Sequence, residues 1–349
     1  MPSQSSPSRA RRGTLVAPAA VATLALVLSG CSSSDEESSK ASGKAGEGFP
    51  VKIKSALGTA GIPERPDRVV TLGQGSTETS IALGKTPVGM ESYKWGSDKT
   101  GYLPWVHEAV TKSGDKLPKQ FTGGEDIDFE AITELEPDVI LAPWSGITKD
   151  QYSILSDIAP TVAYPDQAWS TNWDQQIDIV AKALGRPEKA KPLEEKIKKQ
   201  LAAAAASRPK YKNVSFSYLY NSGPGTLGVF KSQEQRVQMV RSLGLTVDPV
   251  VKTFKETKGT DSALIGLENA EKLKDSDLVF TFYSDAKNRR DVEKQPLYAA
   301  IPAVKSGAVV AGDDPSFVTA SSMINPLTVP WSIDRYLPMI DKALTKSDR

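Results

Sequence analysis

Side chains able to do chemistry are few in this 349-residue chain, which has one cysteine, Cys31, and one histidine, His107. Protein-built metal centres bring thiolate, imidazole and carboxylate together on one ion. A lone His107, beside Glu108 and just after Trp105, therefore reads as a surface or helix-packing residue. The sequence contains no Gly-x-Ser-x-Gly elbow, no His-Glu-x-x-His pair and no Gly-x-x-x-x-Gly-Lys-Ser/Thr loop. Carboxylates are too numerous for a glycosidase pair to be excluded by counting. The regular pattern is aromatic: Tyr93, Trp95, Trp144, Tyr220 and Tyr283 end or follow β-rich runs. Rings with a few polar groups suit the capture of an organic ligand.

Cys31 stands where three kinds of sequence meet. Before it come a basic stretch with Arg9, Arg11 and Arg12 and an apolar run from Leu15 to Leu28, shorter than a bilayer span and fitting a secretory leader. After it, Ser32 to Gly48 has no apolar cluster and is expected to be a flexible tether. Leu28-Ser29-Gly30-Cys31 resembles a bacterial lipoprotein signal, in which the cysteine becomes the lipidated first residue. Residues 1–30 are then a signal peptide, 31–48 a lipidated tether, and the protein sits on the extracytoplasmic face of the cell membrane, held by lipid alone. The Arg11-Arg12 pair leaves the export route, general or twin-arginine, open. No other thiol is available for a disulfide or a cysteine-held metal.

Formal net charge is +1 and charged residues make up 24% of the chain, which argues against nucleic acid as a partner. Short β-rich runs alternate with amphipathic stretches, the pattern of an α/β fold with largely parallel strands. Strands are expected over Arg68–Leu72, Thr86–Met90, Asp138–Ala142 and Thr161–Tyr164, and helices capped by Ser76 or Thr77 and running through Leu83, over Ile127–Leu135 and from about Thr171 to Leu184. From Pro187 to Ser207 the chain is rich in Leu, Glu, Lys and Ala and predicts one long, stiff helix of some 30 Å. Beyond it a strand over Val214–Tyr220, a helix over Glu234–Leu243 and a strand over Asp277–Thr281 repeat the first half. The fold class is two similar α/β lobes, 49–185 and 209–349, joined by an interlobe helix over 186–208, with a ligand cleft between them.

Pro63 to Val70, Thr77 to Gly84, Glu136 to Ile140, Ile158 to Val162, Pro296-Leu297-Tyr298 and Ile301 to Gly307 resemble, in order, the iron-siderophore substrate-binding lipoproteins of ABC importers. The resemblance implies a monomeric receptor, not an enzyme, that captures a ferric siderophore and delivers it to a permease, with no cofactor beyond the iron its ligand carries. Receptors of this shape for haem, cobalamin or catecholate siderophores are the alternatives, and a secreted hydrolase is the alternative from another class. The ligand-binding residues expected are Gln74, Tyr93, Trp95, Trp144, Ser145, Tyr220, Tyr283 and Arg289, since ligands gather beyond the carboxyl ends of strands. Arg236 and Arg290 add basic character to the second lobe. Related hydroxamate receptors carry an arginine before the helix that precedes Asp138, where this chain has Phe121-Thr122-Gly123-Gly124-Glu125-Asp126. The first lobe thus offers little positive charge, and a hydroxamate chelate, near neutral, is favoured over an anionic catecholate. By the same resemblance Glu78, six residues before Gly84, is expected to dock on the permease from the lobe exterior, with Glu234 or Gln238 as its second-lobe counterpart.

Overall fold

The computed structural model describes residues 48–347 apart from 222, 224 and 259; Cys31, with the leader and nearly all of the tether, lies outside the described residues. Antiparallel β1 (Val51–Lys54) and β2 (Thr59–Ile62) open the body. Five parallel strands follow: β3 (Val69–Thr71), β4 (Gly89–Glu91), β5 (Lys119–Phe121), β6 (Val139–Leu141) and β7 (Thr161–Val162), in the spatial order β5-β4-β3-β6-β7. Val69, Val70, Val139, Ile140 and Leu141 are fully buried, as expected of strands covered on both faces. Each strand leads into a helix, in order Ser76–Ala82, Pro104–Ser113, Phe129–Thr133, Lys149–Ile158 and Trp173–Ala183.

The first of these helices starts differently from the sequence expectation. Its cap is Gly75, with φ of 84°, not Ser76 or Thr77. Only glycine suits that site, because the backbone is left-handed and a Cβ there would sit 2.6 Å from the Gln176 amide.

The second lobe is built from β8 (Ser215–Tyr220), β9 (Thr226–Phe230), β10 (Thr246–Val247), β11 (Ser262–Gly266), β12 (Leu278–Phe282) and β13 (Val309–Gly312), with the main path β11-β9-β8-β12-β13. The parallel pair β8–β12 repeats β3–β6. Even the locking carboxylate recurs. Asp138 accepts the backbone N–H groups of Asp67 and Arg68, at 2.6 and 2.9 Å, and Asp277 accepts that of Ser215 at 2.8 Å. Short β10 pairs parallel with the start of β8 as β4 does with β3, and similarity stops further along β8, where β9 returns antiparallel and pairs antiparallel with β11. The second lobe is therefore a mixed sheet, and its cleft face is made differently.

A short 3₁₀ turn, Pro187–Lys189, runs into the helix Ala190–Ala206. Ala190, Glu194, Ile197, Leu201 and Ala204 are buried, a narrow stripe at alternating spacings of four and three. Glu194 is tolerated on that stripe because Lys191 and Lys198 both reach it at 3.2 Å. The helix packs between Trp173–Ala183 of the first lobe and the C-terminal helix Thr328–Leu344. One hydrophobic cluster runs from Val69 and Leu141 through Ile197 and Leu201 to Phe216, Val279 and Ile340. Trp331 of the C-terminal helix meets Trp105 of the first lobe edge-on, with ring centroids 5.3 Å apart.

Candidate ligand-binding site

Between the lobes lies a cavity of about 400 Å³. Its first-lobe wall begins with Trp144, just beyond the carboxyl end of β6, and continues along residues 166–172. Trp169 stands half-exposed, its ring 4.8 Å from that of Trp144 at 69°, an edge-to-face pairing. Its backbone N–H donates to the Ser145 carbonyl at 3.1 Å. Its backbone is left-handed, φ 62°, an uncommon conformation for a bulky residue. The indole lies directly on Gly146, where a Cβ would come within 2.3 Å of Nε1.

The second-lobe wall is a stack supported by the sheet. Tyr220 closes β8 opposite Gly228 of β9, and its ring occupies the space a side chain at 228 would need. There it stacks on Phe230, centroids 4.6 Å apart, while its hydroxyl bonds Ser262 Oγ at 2.9 Å. The Arg236 guanidinium lies 4.9 Å from the Phe230 ring and 5.6 Å from Phe282, within cation–π range. Glu234 pairs with Arg236 and accepts its N–H at 2.8 Å, capping the helix Gln235–Ser242. Burial pushes the Glu234 carboxyl up, and the neighbouring Arg236 opposes that. Asp261 is also raised, by burial and then by nearby Glu256. Buried Gln235 ties the lobes at the cleft floor: Nε2 donates to the Thr171 carbonyl at 3.3 Å and Oε1 accepts the Ile324 N–H at 3.2 Å.

Among the described residues Asp166, Glu234, Glu256 and Asp261 line the cavity against one cation, Arg236. The cleft is thus acidic, with aromatic faces on both sides. It suits a neutral or positively charged organic surface and disfavours a polyanion.

The residues expected from sequence are distributed unevenly over this geometry. Trp144 lines the cleft, and Tyr220 stands behind it, stacked on the lining Phe230. Gln74 is half-buried and offers its carbonyl to Gln176 Nε2 at 2.6 Å. Ser145 is buried, its hydroxyl given to the Ala142 carbonyl at 2.8 Å. Trp95 is not on the cavity wall; it is half-exposed and bridges the lobes by donating Nε1 to the Ser284 carbonyl at 3.3 Å. Tyr93 packs against the Met90–Trp105 cluster with its hydroxyl buried beside Glu91. Tyr283 and Arg289 must be corrected as cleft residues. Tyr283 turns inward, 5% exposed, onto Tyr298, and with Arg289 it borders a separate cavity of about 770 Å³ on the second lobe. Arg290 is exposed on the same helix, and His107 is half-buried.

Glu78 is corrected as well. It is 4% exposed, not a surface carboxylate, and accepts Trp105 Nε1–H at 2.8 Å. Burial pushes its carboxyl up, partly offset by that bond. Glu234 likewise faces the cleft, while Gln238, half-buried, bonds the Gln233 carbonyl. Trp169, Phe230 and Gln235 are wall and floor residues that the sequence reading omits. Phe230 ends a strand and follows the same rule as Trp144; Trp169 and Gln235 have no comparable local signal.

A two-lobed α/β body with an aromatic cleft between the lobes defines a solute-binding receptor. The chain belongs to the Periplasmic binding protein family, whose sequence profile matches residues 69–315. It is 27% identical over 318 residues to the probable siderophore-binding lipoprotein YfiY of Bacillus subtilis, covering 85% of this chain and 90% of that one. To the ferric enterobactin-binding periplasmic protein FepB of Escherichia coli it is 25% identical over 275 residues, 75% of this chain and 84% of that one. Among solved structures, PiaA of Streptococcus pneumoniae in complex with ferrichrome is similar with a TM-score of 0.77 at 30% identity, over 85% of this chain and 99% of that one. Among the described residues no group of three or more His, Cys, Asp and Glu is arranged to hold a metal ion.

Proposed function

We propose that this protein is a lipid-anchored receptor on the extracytoplasmic face of the membrane that captures a ferric siderophore of hydroxamate type and presents it to an ABC permease. The observation that carries the reading is the interlobe cleft, walled by Trp144 and Trp169 on one side and by the Phe230–Arg236 stack on the other. A siderophore already fills the coordination sphere of its iron, so the protein has only to enclose an organic shell, which rings and a few polar groups do. Relatives whose names include siderophore, ferric enterobactin and ferrichrome binding support the ligand class. The charge of the cleft supports the choice within it. Four carboxylates against one arginine would repel a triply anionic catecholate complex and accept a neutral or cationic hydroxamate. Anchoring is supported by the setting of Cys31, and a chain that stays aqueous in detergent partitioning after expression in its own host would exclude it.

Quenching of tryptophan fluorescence tests the ligand. Ferrichrome and ferrioxamine B should quench at far lower concentration than ferric enterobactin, ferric citrate, haem or cobalamin. Preference for enterobactin would overturn the hydroxamate assignment, and no response to any ferric chelate would overturn the receptor reading.

A further inference from the structure

A second volume adjoins the cleft and has no part in the reading above. It is a chamber of about 450 Å³ within the first lobe, with Leu72, Ile147 and Trp169 as apolar walls, Thr148 on its lip, and Glu91 and Glu125 as its charged groups. Trp169 is the lining residue it shares with the cleft. Consecutive residues divide between the two, Trp144 lining the cleft and Ser145 the chamber.

Glu91 is fixed in place. It closes β4, its Oε2 accepts the Gly73 N–H at 2.8 Å, and its carboxyl presses on Gly123, where a Cβ would lie 2.3 Å from Cδ. Burial pushes its carboxyl up, with the Gly73 N–H opposing. Among the described residues neither Glu91 nor Glu125 belongs to any ion pair. A partly dehydrated carboxylate lining a cavity with apolar walls, with no cation supplied by the described residues that line it, is matched by a cation that arrives from outside.

We propose that the chamber is a second compartment of the ligand site and receives a flexible cationic arm of the bound chelate, its methylene stem along Leu72, Ile147 and Trp169 and its terminal ammonium at Glu91. This role rests on the siderophore-receptor reading and extends it from the iron-bearing body of the ligand to its tail. The arm reaches the chamber past Trp169, which lines both cavities and is held by its left-handed backbone and its seat on Gly146.

Titration calorimetry with three ferric trihydroxamates separates the two ideas: ferrioxamine B, which ends in a primary ammonium, its N-acetylated form, and ferrichrome, which has no such arm. Wild type should bind ferrioxamine B about tenfold more tightly than the acetylated form. Glu91→Gln keeps an acceptor for the Gly73 N–H and removes the charge; it should bind the acetylated form as wild type does and lose the preference. Glu125→Gln, at the exposed mouth, should narrow the preference by about twofold. Indifference of wild type to acetylation, or a preference that survives Glu91→Gln, would overturn the chamber's role while leaving the receptor intact. Failure of all three chelates to bind would overturn the receptor reading, and this role with it.

Discussion

The two lobes present similar chemistry to the cleft on different supports. On the second lobe Tyr220, Phe230 and Arg236 belong to a hairpin and the helix after it, and each is held by a neighbour: Gly228 beneath Tyr220, Ser262 on its hydroxyl, Glu234 on the guanidinium. On the first lobe Trp144 and Trp169 stand on irregular segments and lean mainly on one another. One wall is thus part of the fold and the other is added to it. Substitutions in the first should cost stability and affinity together, whereas those in the second should cost affinity alone.

The largest effect that tests this contrast is expected from Phe230→Ala. Removing the centre of the stack should lower unfolding free energy by about 2–3 kcal/mol in chemical denaturation and weaken ferric-ligand binding at least tenfold. A variant that binds poorly but melts as wild type does would erase the distinction between the walls. Next come the two locking carboxylates. Asp138→Ala and Asp277→Ala each strand backbone donors at a strand start, and each should cost about 1–2 kcal/mol. Matching losses would show that the repeat between lobes extends to energetics; a large mismatch would confine it to geometry.

Trp144→Ala comes third. It should reduce affinity about tenfold, roughly 1.4 kcal/mol, with little change in melting temperature, because the ring stands on a loop. Unfolding of the first lobe with normal binding by the remaining folded protein would make Trp144 a core residue. The smallest effect concerns two carboxylates at helix starts. Burial holds the Glu78 carboxyl above the usual glutamate range, so its contribution to stability is full below about pH 4 and is lost as pH rises through the folded value. Glu78→Gln keeps an acceptor for Trp105 without the charge. It should exceed wild type in stability near neutrality by about 1 kcal/mol or less, and equal it below about pH 4. Glu234→Gln should show no such gain, because it leaves Arg236 without its counterion. Thermal melts of both variants between pH 4 and 8 check the pair.

Strands β3, β6 and β12 were legible because strands buried on both faces read as near-continuous Val, Ile, Leu and Phe, and β8 because Phe216, Tyr218 and Tyr220 alternate with smaller residues. The helix Lys149–Ile158 was not, although Thr148 and Gln151 form a capping box, since only Leu155 of its ten residues is buried. Strand β5 has three residues, the first of them exposed, too few for a period to appear. At the site, strand ends located rings correctly in the chain without fixing which way they face. Trp144 opens to the cleft, and Tyr283, equally at a strand end, folds inward because Tyr298 waits behind it. Glu78 shows the same gap. Its place in the first turn of a helix suggests exposure, yet Trp105, 27 residues later, covers it, and no local pattern carries information about such a distant neighbour. Trp169 depends on a left-handed backbone and on Gly146, which have meaning only once the fold exists.

The hydrophobic cluster that passes from the first sheet through the interlobe helix to the second bears on how the molecule melts. Lobes joined by a polar linker would unfold one at a time. Here Ile197 and Leu201 belong to a core shared by both lobes, so neither lobe has a complete interior by itself. Calorimetry should record a single cooperative transition with equal calorimetric and van't Hoff enthalpies, and an isolated lobe, cut at the helix, should be insoluble or molten. Ligand should then raise the melting temperature of the whole molecule, giving the receptor one stability that bound ferric chelate shifts as a unit.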